Sequence, residues 1–370
     1  MLSPIKLLLV EDSPVVTIVL KRIFNASPEI NVVGTACNGL EALELIPKLQ
    51  PEVICTDFHM AQMNGLEFTQ EVMKKYPRPI LVISASVQAD DTQNVFQLLK
   101  AGALDVFPKP IGGLVSDYDR LAHELIAKIK ILSGVKVFTR HQKQGRIEKI
   151  QKALKINQLP IPNDRLPAAN YQRSIKNLNS QTIKLLAIGA STGGPQALHA
   201  IISQLPANLP VPIICVQHIS EGFLQGLVDW LGSESKLPVK IAALGEFPQA
   251  GTVYFPPEKR HLELDSQGRF IYSKAPPLAG HRPSVTITFK SVANFYGQGA
   301  AGVLLTGMGR DGAEGMQAIA RLGGLTIAQD EASCVVFGMP KEAIALGAAQ
   351  HVLPLSAIAL LLLAQLNIKP

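Results

Sequence analysis

The sequence predicts an α/β protein made of two doubly wound parallel-sheet domains, and three observations predict it. Residues 1 to about 132 alternate short apolar runs with helical patterns. The same alternation resumes near Ile183. The segment between them carries no pattern that would bury a core. At 370 residues the chain exceeds one ordinary core, and its 47% hydrophobic content is enough to fill two.

In the first half the predicted strands are Lys6 to Val10, Val32 to Thr35, Val53 to Thr56, Ile80 to Ser84 and Ala103 to Phe107. A final helix around Tyr118 to Leu132 carries Leu121, Leu125, Ile129 and Leu132 at helical spacing. Pro160, Pro162 and Pro167, set among Asn and Gln, mark a linker in which Arg146 to Leu154 could form a short helix. In the second half the predicted strands are Leu185 to Gly189, Val211 to Gln217, Val239 to Ala243, Thr252 to Phe255 and Gly302 to Thr306. The expected division is 1–132, a basic linker over 133–181, and 182–370.

Charge and cysteine usage exclude several classes. Between Gly134 and Ser180 ten basic residues stand against Glu148 and Asp164, so this segment holds +8 while the whole chain holds only +6. A solvated linker or an acidic docking partner accounts for that charge, and no helix-turn-helix or aromatic RNA-binding pattern accompanies it. Nucleic acid is therefore not expected as a partner. Cys37, Cys55, Cys215 and Cys334 form no CxxC pair, so neither a disulfide scaffold nor a zinc site is indicated. No charge-free apolar stretch reaches the roughly 18 residues of a membrane span, and MLSPIKLLLVEDS lacks a basic leader. A cytoplasmic protein without membrane insertion is expected.

Ligands of open parallel sheets bind beyond the carboxyl ends of the strands, so polar residues just after the apolar runs are the site candidates. In the first half these are Glu11, Asp12, Asp57, Ser84 and Lys109. Crowded carboxylates repel one another, which a hard divalent cation relieves, and a carboxylate beside that cation and a lysine can take a phosphoryl group. Acidic helix caps are the competing reading, which five matched positions strain. The segments LLLVEDS, VICTDFHMAQMNG, LVISAS and DVFPKP resemble response-regulator receiver domains, with a flavodoxin-like fold, across about 130 residues. The resemblance implies Asp57 as phospho-acceptor, and Mg²⁺ held by Glu11, Asp12, Asp57 and the backbone carbonyl of His59. It also implies Ser84 and Lys109 as the groups that sense the phosphoryl, and a histidine kinase as phosphodonor. Two positions depart from the family pattern. Ala61 replaces a proline, and Val106 replaces an aromatic residue, with Phe107 one place later.

In the second half, KLLAIGASTGGPQAL sets Ser191 in a GxSxG turn between a strand and a helix, where a hydroxyl is exposed near free backbone amides. A serine nucleophile needs a base and an orienting group. His218 ends the run VPIICVQH on the same sheet edge, and His261 and His281 remain possible. His199 lies eight residues along the next helix, pointing away. GAAGVLLTGMGRDGAEGMQAIARLGG returns Asp311 to that edge through a glycine-rich loop, with helix N-capping as the competing role; Asp265 and Asp330 fit less well. The alternative for GASTGG is a phosphate-cradling dinucleotide turn, but Ser191 replaces the second glycine of GxGxxG and no clear ribose-binding acid follows.

IGASTGGPQAL, CVQHI, HRPSV, LLTGMGRDGAEGM and AQDEASCVVFGMPKEA resemble the chemotaxis protein-glutamate methylesterase domain, a three-layer α/β fold, over about 185 residues. The resemblance implies Ser191 as nucleophile, His218 as base, Asp311 as orienter and the backbone amide of Met308 as an oxyanion donor, with that of Thr192 as a second candidate. It implies hydrolysis of glutamyl methyl esters, and deamidation of glutamines, on the cytoplasmic domains of methylated chemoreceptors, switched on by phosphorylation. No cofactor is implied at this second site. After HRPSV stands Thr286, where the family has aspartate, a change expected at the pocket rim. A gated adaptor that has lost activity, or an esterase in a non-chemotaxis signalling pathway, is the alternative.

Overall fold

The computed structural model describes residues 3–84, 89–110, 115–135, 137 and 182–368. Most of the basic linker, including the short helix expected at Arg146 to Leu154, lies outside the described residues.

The N-terminal elements are β1 (Ile5–Val10), α1 (Pro14–Asn25), β2 (Ile30–Ala36), α2 (Gly39–Leu49), β3 (Val53–Thr56), α3 (Gly65–Lys75), β4 (Ile80–Ser84), α4 (Ala89–Ala101), β5 (Asp105–Pro108) and α5 (Val115–Ser133). Their parallel sheet has the order β2-β1-β3-β4-β5, the doubly wound arrangement predicted. Local chemistry sets the helix starts. Ser13 accepts a hydrogen bond from the Val16 amide at the head of α1, and Asn64 and Glu67 form a capping box on α3. Val16, Leu20, Ile23 and Phe24 recur at helical spacing and put one face of α1 into the core.

The C-terminal sheet contains β6 (Leu185–Ala190), β7 (Ile213–Gln217), β8 (Val239–Ile241), β9 (Val253–Phe255), β12 (Ala300–Leu304), β13 (Leu325–Gln329) and β14 (His351–Leu353). Every pairing is parallel, in the order β14-β13-β12-β6-β7-β9-β8. Alternation along β6 builds the three layers. Leu186, Ile188 and Ala190 face a cluster with α6 (Gly194–Ile202), α7 (Leu224–Ser233) and α11 (Leu355–Gln365). Leu185 and Ala187 face α8 (Val285–Tyr296), α9 (Ala313–Arg321) and α10 (Met339–Ala345). A two-stranded antiparallel ribbon, β10 (His261–Leu264) with β11 (Phe270–Ser273), was not predicted. The strand expected at Gly302 to Thr306 runs two residues earlier, because beyond Leu304 the ladder ends and the Thr306 amide turns to the Gln329 side chain at 2.8 Å.

The two sheets are joined by apolar contact. Phe96 on α4 stacks on Trp230 of α7 with ring centroids 5.6 Å apart, and Lys100 pairs with Glu234 at 2.8 Å. Gln196 on α6 donates to the Ala103 carbonyl. Among the described residues no helix is long and apolar enough to cross a membrane.

Candidate active site

The chain passes from β6 outward through β7 to β9, then returns to the opposite side of β6 as β12. The strand order reverses between β6 and β12, and in such sheets ligands bind in the crevice beyond the carboxyl ends of the strands at that point. Ser191 follows β6, His218 follows β7 and Asp311 follows β12, so three strand ends deliver them to one edge. The Ser191 amide donates to the Thr306 carbonyl at 3.0 Å, which binds the serine turn to the loop that carries Asp311. Gly193 closes the turn with φ 76°, a left-handed conformation that favours glycine, and a Cβ there would strike Val335 at 2.6 Å.

His218 Nε2 lies 2.9 Å from Asp311 Oδ2, while its buried Nδ1 has no partner among the described residues. A carboxylate on Nε2 fixes the ring so that Nδ1 is the nitrogen left for proton transfer. Asp311 is 3% exposed and accepts four further hydrogen bonds: from Ser284 Oγ and from the backbone amides of Val285, Thr286 and Gly312, at 2.8 to 3.0 Å. Burial alone would raise its pKa, but the His218 ring and the Thr286 amide hold it well below the usual carboxylate range. The N-capping alternative thus resolves unexpectedly. Position 312 caps α9 without a side-chain bond, and Asp311 instead sits at the positive end of α8.

The other histidines fall into distinct places. His281 lies flat on His218, with centroids 3.8 Å apart and an interplanar angle of 5°. Burial, and then the neighbouring His218, lower its pKa to about 4, so it is uncharged near neutral pH. His261 is fully buried and accepts from the Ser284 amide through Nδ1 at 3.1 Å, one layer behind Asp311. His199 stacks on Trp230 and meets Glu234 at 3.4 Å, away from the crevice. The backbone amides of Thr192 and Met308 donate no hydrogen bond among the described residues.

At the N-terminal sheet, Glu11, Asp12 and Asp57 offer ligand atoms within 4.8 Å of one another. Lys109 Nζ reaches Asp57 Oδ2 at 2.7 Å and Glu11 Oε1 at 2.9 Å, and Glu11 Oε2 is buried without a partner among the described residues. Burial raises the pKa of both Glu11 and Asp57 in spite of Lys109. Burial works against the Lys109 ammonium as well, yet its bonds to Asp57 and Glu11 keep its pKa above the usual lysine value. Ser84 is buried at the end of β4, where its carbonyl accepts from the Lys109 amide at 2.8 Å. His59 follows the Asp57 strand end, its ring edge-on to Phe58.

Residues 186–362 match the CheB methylesterase family model, and residues 7–114 match the response regulator receiver domain model. A protein-glutamate methylesterase/protein-glutamine glutaminase of Nitrosospira multiformis is 41% identical over 355 residues, spanning 96% of this chain and 95% of that protein. The chain belongs to this methylesterase family. Its counterpart in Hahella chejuensis is 42% identical over 96% of this chain and 97% of its own length. The crystal structure of the Thermotoga maritima CheB methylesterase catalytic domain is 42% identical, covering 50% of this chain and 98% of that one, with a TM-score of 0.48.

Within the methylesterase portion, Thr286 does not sit at a rim. It is 3% exposed, its amide holds Asp311, and its Oγ1 accepts from the Gly312 amide at 2.7 Å. Ser284 was also missed, although a serine directly before a helical pattern is a readable N-cap signal. In the receiver portion Val106 and Phe107 are both buried, on opposite faces of β5.

Proposed function

We propose that the chain is a phosphorylation-activated hydrolase of glutamate methyl esters, and of glutamine amides, on the cytoplasmic domains of chemoreceptors. In this reading residues 1–132 form the receiver, 133–181 the linker and 182–370 the catalytic domain. The observation that carries it is the delivery of Ser191, the His218–Asp311 pair and two unbonded amides to one sheet edge. Ser191 Oγ attacks the ester carbonyl carbon as its proton passes to His218. Asp311 stabilises the imidazolium that forms, and the amides of Met308 and Thr192 receive the oxyanion. As the intermediate collapses, His218 protonates the departing methanol. It then takes a proton from water, which attacks the acyl-serine and releases the glutamate carboxylate. With a glutamine substrate, ammonia leaves in place of methanol.

Asp57 is the proposed phospho-acceptor, with a histidine kinase as donor and Ser84 and Lys109 as the groups that meet the phosphoryl oxygens. Glu11, Asp12, Asp57 and the His59 carbonyl would hold Mg²⁺; the orphaned Glu11 Oε2 and the crowded carboxylates fit such an ion. When bound, Mg²⁺ neutralises charge on the carboxylates and on the incoming phosphoryl group. The contact between the receiver and α6–α7 supports gating. Such a substrate places the enzyme in the cytoplasm.

The test is methanol release from methylated receptor with and without a phosphodonor. We expect release that rises with phosphodonor and is abolished by Ser191→Ala. Release indifferent to phosphodonor would sink the gating half, and release surviving in the alanine variant would sink the nucleophile assignment.

A further inference from the structure

We propose that Gln217 is a positioning residue for ester hydrolysis, whose side-chain amide ties the backbone of the nucleophile to the backbone of the base. The proposal rests on Ser191 and His218 having those roles. Gln217 ends β7 opposite Ala190, the last residue of β6, and the next rung is the His218 amide on the Ala190 carbonyl at 2.9 Å. There the ladder between the two strands stops. Ser191 turns its own amide to Thr306 on the other side, so no backbone bond joins Ser191 to His218.

The Gln217 side chain supplies the missing rung. Its Nε2 donates to the Ser191 carbonyl at 2.8 Å and to the His218 carbonyl at 2.8 Å. Both acceptors are carbonyls, so only the nitrogen end of the amide can face them. The oxygen end points to Gly194, where a Cβ would lie 2.0 Å from Oε1, and glycine at the head of α6 leaves room for it. That Oε1 is buried without a partner among the described residues. An unpaired buried carbonyl oxygen is unfavourable, and an apolar side chain of the same shape would fill the space without it. The position therefore favours the two donated bonds over packing.

These bonds matter because proton transfer from Ser191 Oγ to His218 depends on where the two backbones hold their side chains. A displacement of about 1 Å lowers such a step roughly 100-fold. The experiment uses the full-length chain and a fluorophosphonate, which reacts with an activated serine irrespective of the natural substrate. Gln217→Met keeps the side-chain length and removes both donors. We expect it to label at Ser191 about 100-fold more slowly than the unaltered chain, with kcat for methyl-ester hydrolysis falling in parallel and KM nearly unchanged. A merely structural role would instead move the melting temperature and leave the labelling rate of the folded fraction intact. A folded Gln217→Met protein labelling at the unaltered rate overturns the proposal alone, whereas failure of the unaltered chain to label at Ser191 overturns the nucleophile assignment beneath it. Should the variant not fold, ¹⁵N-glutamine labelling of the unaltered chain decides the matter. Both Gln217 side-chain protons should exchange slowly with solvent, and exchange at the rate of a free glutamine overturns the bridge.

Discussion

Asp57 and Asp311 are buried to nearly the same degree, 5% and 3% exposed, yet their carboxylates are pushed in opposite directions. Asp57 has Lys109 and the Phe58 amide on its oxygens, with Glu11 and Asp12 crowding the same hollow. Asp311 has five donors, two of them from the first turn of α8. Burial is common to both, so the number and direction of donors decide the outcome. One carboxylate is a finished anion that holds a histidine. The other is unfinished and suited to receive charge from outside.

The largest expected effect lies on the finished side. Asp311→Asn should lower kcat by roughly 10³- to 10⁴-fold, since the amide no longer selects or steadies the right form of the His218 ring. It should also lower stability by about 2 kcal/mol at neutral pH, read by thermal melting. Because its native pKa is depressed, the stability Asp311 contributes is fully present above its unfolded value near 3.9. That stability is lost as pH falls through the lower native value. The gap between the two proteins should therefore narrow as pH falls below about 4, and a gap that widens there would contradict the donor account.

On the unfinished side the sign reverses. Asp57→Asn removes one of three crowded carboxylates, so in chelator its melting temperature should exceed that of the unaltered chain, while it takes no phosphoryl group from a small phosphodonor. Mg²⁺ at about 100 times its Kd should stabilise the unaltered chain by roughly 2.7 kcal/mol and Asp57→Asn far less. Equal Mg²⁺ responses would remove Asp57 from the ion site. The smallest effect is expected at the ring stack. His281→Ala removes a contact of about 1 kcal/mol, or roughly fivefold, and kcat/KM should fall by no more than that.

Much of this contrast was legible in the chain. Strong apolar runs marked the receiver strands and β6, β7 and β9, and the candidate residues after them meet in space because a parallel sheet collects its loops at one edge. The ribbon β10–β11 was not legible, since HLEL and FIYS are short and carry polar residues within each run. The environment of Asp311 was hidden for a different reason. Its donors come from Ser284, Val285 and Thr286, at least 25 residues earlier, and nothing within the loop announces them. Gln217 reads locally as an ordinary strand residue, and its role emerges only when two strand ends are seen together.

The contact between Phe96 and Trp230 has a practical side. Trp230 is the only tryptophan in the chain, and it lies sandwiched between a receiver phenylalanine and His199. Its emission is therefore a built-in optical gauge of whether the two halves are in contact. Excited selectively, the indole reports from the seam without any attached dye, on the same sample and timescale as a turnover assay.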